Sequence, residues 1–571
     1  MAVFFGGRLL TTPTTASVVD DSGLANQNIS VGNVLAVIGR SSGGRPNAPL
    51  RFGSAQRARE VLRSGELLDA VLKAFDPSAQ TGGPSEVIAI RVNAATQATL
   101  TLLSNASTPV INLTSTDFGL YTNQIKVKIE NGTFSGKKAT VQFGNDFFTQ
   151  DNIARRAFQV QHTGAAATAV MTVAANTLTI SAPIGNQIMS VDLQTFRTVQ
   201  EVVDRINADP VLSASVLDGN GGRPALSGLD FATAVDIRSS AFVVRADLQA
   251  IVDWFNSTGE GFVDAIRVPN AGSTPSNIGF TYLSGGSDGI VTNGAWSDAY
   301  TTLQQVDVQW VVPVTPNPSI HAMNDAHCMF MSTVGKSERR GIVGTASGTT
   351  DAGAIEAAKQ LNSDRTSLVH LGFYDFDENG SLKLFDPYIL AALLGGAFSG
   401  VNPGTPLTNK AIKVRGLERN LRNPTDTDEL IRGGVLCVEN TPRGFKVVQS
   451  ITTWLVNENY NRVEVSTGVA VDFVARNVRD ALDDLRGQKG SPILLSRAVS
   501  ITESRLRLLA QPEPQGPGVI VGDEENPPYR NIRASLDADV LRVEFECQPA
   551  IGVNYVLVSI FAKAYSGTAS A

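Results

Sequence analysis

The chain has 571 residues, 42% of them hydrophobic and 18% charged, with a formal net charge of −7. That length predicts roughly three to four domains. The charged fraction lies below the about 25% usual for soluble domains, as suits a chain covered by partners or folded around a large core, and without any Lys/Arg run it has no nucleic-acid footprint.

The first residues, Met1-Ala2-Val3-Phe4-Phe5-Gly6-Gly7-Arg8, put no positive leader before an apolar core, so no signal peptide is expected. Residues 1–30 are rich in Thr, Ser, Gly and Asn without a helical period, which predicts an extended N-terminal arm. Residues 31–93 predict a β-α-β segment. Val34-Leu35-Ala36-Val37-Ile38-Gly39 reads as a buried strand, and a Gly/Pro loop follows at 43–47. Ala58, Val61, Leu62, Leu68, Val71, Leu72 and Phe75 share helical spacing interrupted near Gly65, and Val87 to Val92 returns as a strand.

Residues 94–240 predict an inserted β-rich domain. Gln124 to Glu130 alternates with period two, as a half-buried strand does. One helix is expected where Thr198 and Glu201 form a capping box ahead of Val202, Val203 and Ile206, bounded by Pro210. Residues 241–410 predict an α/β domain. Leu248, Ile251, Val252 and Phe255 share a helix face, and 355–361 reads as a second helix. Val308 to Val314, Arg340 to Ala346 and Thr366 to Phe376 read as strands, which together predict helices on a largely parallel sheet.

At 283–289, Leu-Ser-Gly-Gly-Ser-Asp-Gly exposes backbone N–H groups as a phosphate cradle does. A nucleotide loop also needs a lysine, which is absent, and Asp288 repels an anion; the loop is expected to be a domain junction. The longest apolar run, Tyr388 to Phe398, is about eleven residues, too short to span a bilayer, so no membrane insertion is expected. Residues 411–571 predict a C-terminal α+β domain. Its helix at 472–486 turns Val474, Val478, Leu482 and Leu485 inward and is capped by Gly487. Strands are expected at Val540–Cys547, with one wet face, and at Val553–Ala564.

Catalytic chemistry is sparse. The three cysteines, Cys328, Cys437 and Cys547, lie far apart, which argues for a reducing compartment. The histidines are His162, His321, His327 and His370. The spacing of His321 and His327 puts them on different helix faces, against a zinc site with Cys328. Gly344 to Gly348 and Gly396 to Gly400 place serine one position late for a nucleophile elbow. Gly335-Lys336-Ser337 resembles the end of a nucleotide loop, but Phe330 stands where its first glycine belongs. Asp375, Asp377, Asn379 and Asp386 approximate calcium-loop spacing, but an Asn-Gly hairpin between two strands explains them better. On the helix at 472–486, Arg476, Arg479, Asp480, Asp483, Asp484 and Arg486 form either a solvated face or an electrostatic docking face.

Several motifs in order resemble the tail sheath family of contractile phage tails and injection systems. They are Val34–Gly39 with Gly44 to Pro49 and Phe52-Gly53, Gly119 to Val127, and Leu283–Gly289. Further on come Tyr388–Gly400 with Pro403 and Asn409, then Gly433 to Val438, Ser450 to Trp454 and Arg476–Gly487. Segments 135–240 and 511–530 fit less well; the second is a Pro/Gly/acid-rich loop.

The resemblance implies a subtilisin-like α/β core without protease chemistry, an inserted β-sandwich, an α+β C-terminal domain and an extended N-terminal arm. It implies a non-enzymatic virion subunit without cofactors, assembled in the host cytoplasm. Such a subunit polymerises helically around an inner tail tube protein, meets baseplate and tail-terminator proteins, and contracts to drive the tube through the host envelope. Neighbouring subunits would be tethered by Val3, Phe4, Phe5, Leu9 and Leu10 of the arm and by Tyr555, Leu557, Ser559 and Phe561 of the last strand. The helix carrying Arg476 to Arg486 would face the tube. Two other readings remain: a cytosolic hydrolase using Ser347 or His370, and a calcium-stabilised baseplate or surface component.

Overall fold

The computed structural model describes residues 3–5, 8–10, 34–257, 261–564 and 566–567, with backbone alone at 3–5 and 8–10. Its centre is a seven-stranded sheet in the order Val435–Leu436, Thr366–Val369, Arg340–Gly344, Trp310–Pro313, Val34–Gly39, Glu86–Arg91, Pro49–Phe52. All neighbours pair in parallel except Pro49–Phe52, which closes one edge antiparallel to Glu86–Arg91.

Continuous apolar strands such as Val34–Gly39 belong in a sheet covered on both faces. Leu35 and Val37 pack under the helices Ala55–Leu62, Glu66–Phe75 and Pro387–Gly400, whereas Ala36 and Ile38 meet Asn293–Leu303 and Pro318–Thr333. Helix Pro387–Gly400 is buried nearly all round. Its glycines permit this: a Cβ on Gly396 would stand 2.1 Å from the carbonyl oxygen of Ala74. The sequence run was too short for a membrane and is a core helix instead; no helix among the described residues is long and apolar enough to cross one.

The β-α-β segment and the α/β domain, expected as separate units 31–93 and 241–410, share this one sheet. Between them the chain makes an excursion that runs well beyond the expected boundary at 240. Strands Val263–Arg267 and Ile278–Tyr282 pair antiparallel with Pro109–Ser115 and Lys126–Asn131, so they belong to the insertion. Helix Asp247–Ser257 contributes Leu248, Ile251 and Phe255 to the same core. A second excursion leaves this unit after Ile153 and returns before Asp247. It builds two further sheets and helix Val199–Asn207 around its own core of Phe158, Met171, Ile180 and Val203. The Thr198–Glu201 capping box is present on that helix.

The loop at 283–289 closes the insertion. Arg91, at the end of strand Glu86–Arg91 and 0% exposed, donates to the carbonyls of Gly44 and Phe118 at 2.9 and 3.0 Å and pairs with Asp288 at 3.3 Å. Asn93 Nδ2 donates to the Asp288 carbonyl at 2.7 Å, and Asn123 exchanges two 2.8 Å bonds with Gly286. Gly289 (φ +68°) could carry no side chain, since a Cβ would lie 2.0 Å from the Ala94 carbonyl oxygen. The outgoing and returning chains are thus bolted together by a buried cation and a glycine turn.

Two further expectations change. Thr366 to Phe376 is two strands, Thr366–Val369 and Phe373–Phe376, in different sheets, because Leu371 turns the chain at φ +80°. The helix expected from 472 begins at Val465. Its first turn includes Gly468, where a Cβ would meet Arg340 Nη2 at 2.2 Å, so the glycine leaves room for that guanidinium.

Candidate inter-subunit surfaces

The C-terminal domain ends in a two-stranded hairpin, Tyr529–Asp537 against Val540–Cys547. The alternation of its second strand is as expected. Leu541 and Val543 turn toward Leu494 and Ala498, and Phe545 and Cys547 toward Val474, Leu506 and Leu509. Arg542, Glu544 and Glu546 are exposed. Neither outer edge of this hairpin pairs with another strand among the described residues.

The chain then runs past Ala550, which donates to the Val519 carbonyl at 2.8 Å. Asn554 is the last firm anchor among the described residues: its Nδ2 donates to Glu464 Oε2 at 3.2 Å, and its Oδ1 accepts from Thr408 Oγ1 at 3.0 Å. Glu464 is buried at the head of helix Val465–Leu482, and desolvation raises its pKa, offset in part by hydroxyl and amide donors.

Beyond Asn554 the expected strand Val553–Ala564 is absent: those residues form no strand and pair with no strand among the described residues. Tyr555, Leu557 and Phe561 are 78%, 93% and 88% exposed, and Ser559 is exposed too. Sequence reading missed the other parity, since Val556, Val558 and Ile560 are just as exposed. A near-continuous apolar run of this kind, interrupted only by Ser559, fits a strand covered on both faces; its signal lay in the absence of alternation.

At the other end, Val3, Phe4, Phe5, Leu9 and Leu10 lie in a short hairpin, with Val3 opposite Leu10 and Phe4 opposite Leu9. The start of the expected extended arm therefore folds back on itself; residues 11–33 lie outside the described residues.

The charged helix face divides into two parts. Arg476 binds Asp307 at 2.8 Å and the Glu338 carbonyl at 3.1 Å, and Arg479 binds the Glu338 carboxylate at 2.6 Å. Asp472 receives Arg340 and Arg365 at 3.0 and 2.6 Å. These groups fasten the helix to the α/β core and leave no free arginine at 476 or 479 for a partner. Asp480, Asp483, Asp484 and Arg486 remain exposed.

The chemical decoys are used internally. Strands Phe373–Phe376 and Leu382–Phe385 form the hairpin expected over the calcium-like motif. Asp375 pairs with Lys73 at 2.6 Å, Asp377 accepts from the backbone of Asn379 and Ser381, and Asp386 accepts from Ser347 N and the Tyr388 hydroxyl. No cluster of His, Cys, Asp or Glu among the described residues suits a metal.

His321 Nε2 lies 2.8 Å from the Thr315 carbonyl, and His327 Nε2 lies 2.9 Å from Arg339 Nη1. Desolvation, then the Arg339 charge, push the His327 pKa down to about 3. Burial pushes the thiols of Cys328 and Cys437 up to about 12, unlike activated nucleophiles. His370 Nε2 lies 2.8 Å from Asp351, which Arg419 also binds. Ser347 Oγ and His370 Nδ1 each lack a hydrogen-bond partner among the described residues, so the two are not hydrogen-bonded to each other as a nucleophile–base pair.

No protein-family model matches the chain. Along almost its whole length it is similar to the tail sheath protein of Bacillus phage SP01, at 28% identity over 97% of this chain and 96% of that one. It is 27% identical to a putative tail sheath protein of Enterococcus phage phiEF24C, over 84% and 86% of the two chains. Among solved structures, the sheath tail protein of Listeria innocua shares its fold, with a TM-score of 0.56 at 14% identity over 91% and 92% of the chains. The resemblance carried by the ordered sequence motifs therefore holds along the chain.

Proposed function

We infer that this chain is a structural subunit of a contractile tail sheath in a phage virion. The full-length similarity to tail sheath proteins carries that reading, and the terminal segment beyond Asn554 supplies a physical means of assembly. That segment of one copy adds to a free edge of the Tyr529–Asp537/Val540–Cys547 hairpin of the next. Strand addition forms backbone bonds with little demand on sequence, each contributing about 0.5–1.5 kcal/mol net. A head-to-tail contact that does not close generates a helix.

The doubly covered parallel sheet then serves as the rigid, subtilisin-like body, and the Asn554–Glu464 anchor as the root about which the tether swings. Contraction is rigid-body rotation between two packings. The exposed Asp480, Asp483, Asp484 and Arg486 are the surface offered to the inner tube, and baseplate and terminator proteins meet the polymer ends. Chemistry plays no part in this role.

Deleting residues 1–20, or residues 555–571, is expected to leave folded, soluble subunits that no longer sediment as polymers. Normal polymers from both deletions would overturn the tether reading.

A further inference from the structure

The inserted domain carries an exposed face with no role in the assembly described above. In the four-stranded sheet, Asp146–Ile153, Lys137–Phe143, Lys126–Asn131 and Ile278–Tyr282 lie side by side. Register puts Phe147, Gln142, Lys126 and Tyr282 in one row across the strands. Thr149, Thr140 and Lys128 form the next, with Phe280 at the bulge beside Lys128. The opposite face, with Val127, Ile129, Ala139 and Val141, is buried against helix Asp247–Ser257.

Phe147, Phe280 and Tyr282 are 64%, 46% and 58% exposed. Lys126 Nζ lies 4.9 and 5.8 Å from the Phe280 and Tyr282 ring centres, and Lys128 Nζ lies 5.7 Å from Phe280. Lys128 also pairs with Glu130 at 2.8 Å, but Lys126 has no carboxylate partner among the described residues. Three strand spacings separate Phe147 from Tyr282, roughly 14 Å. Rings thus stand at both margins of a shallow strip whose middle is amide, hydroxyl and ammonium.

We propose that this face binds an acidic glycan, a sugar chain bearing carboxylate or phosphate groups. The rings are platforms for the apolar faces of sugar rings. Gln142, whose Nε2 donates to the Gly144 carbonyl at 3.0 Å, offers its Oε1 to sugar hydroxyls, and Lys126 and Lys128 are counter-charges, on a chain whose overall charge would otherwise repel an anion. A protein interface centres on contiguous apolar groups, whereas here polar side chains separate the rings. Nucleic acid needs a denser cationic track than these lysines provide.

The test is titration calorimetry of the full-length protein with plain, carboxymethylated and phosphorylated dextran of matched length, and with single-stranded DNA. Binding to the two charged dextrans over the plain one is expected, and the stronger of the two identifies the anion. The Lys126→Glu/Lys128→Glu and Phe280→Ala/Tyr282→Ala variants should each weaken it at least tenfold, with circular dichroism and polymer formation unchanged. Four results overturn the proposal: no preference for charged dextran, tighter binding of DNA, binding indifferent to the substitutions, or loss of polymers in these variants. The last would assign the face to contact between copies.

Discussion

Leu557→Ala separates the fold of the subunit from its assembly. Leu557 is 93% exposed and lies beyond Asn554, the last anchor among the described residues, so none of those residues buries it. In a strand seated between neighbours the side chain becomes buried, a gain of about 1.5–3 kcal/mol for a leucine. Since about 1.4 kcal/mol is a factor of ten in an equilibrium constant, truncation should raise the critical concentration for polymerisation by roughly ten- to a hundredfold. Val558→Asp should do more, because Val558 occupies the opposite parity and a charge there would lose its water. Sedimentation across a dilution series gives the critical concentration, and calorimetry of the dilute protein gives its Tm. The expectation is a large shift in the first and none in the second. An unchanged critical concentration, or a Tm that falls, would refute the argument that this run is covered on both faces by other subunits.

Arg91→Met should cost about 3 kcal/mol, the scale for removing one partner of a buried ionic contact, because the Gly44 and Phe118 carbonyls and Asp288 lose their donor; urea unfolding measures it, and a loss under 1 kcal/mol would disprove the bolt. Gly396→Ala should destabilise the chain by about 1–3 kcal/mol through overpacking against Ala74, read in the same assay, and an unchanged midpoint would contradict it. Asp230, which accepts from the backbone N–H groups of Asp247 and Leu248, is half-buried beside Asp247 and Arg267, and burial raises its pKa to about 6. The folded chain therefore holds that proton more tightly than the unfolded one. The resulting stabilisation is complete below the ordinary value of 3.8 and is lost as pH rises through about 6. The Tm advantage of wild type over Asp230→Asn should grow as pH falls from 7 to 4, and a constant or reversed difference would contradict this.

Local order was legible where neighbouring residues decide it. Apolar runs marked Val34–Gly39 and Glu86–Arg91, and the Thr198–Glu201 pair marked its helix. Long-range pairing was not. Ile278–Tyr282 belongs beside Lys126–Asn131, across an intervening excursion that no local pattern announces, so the boundary expected at 240 fell inside the insertion. Arg476 and Arg479 looked free because their partners, Asp307 and Glu338, lie far back in the chain. The Val553–Ala564 run has strand composition without a strand, because a β-ladder needs a second chain segment and none of the described residues lies in register beside it.

Electron microscopy of the purified full-length protein in negative stain tests the central claim most directly. A contractile sheath subunit with exchangeable ends predicts hollow, helically ridged tubes. Dispersed monomers or closed rings at concentrations well above micromolar would contradict it.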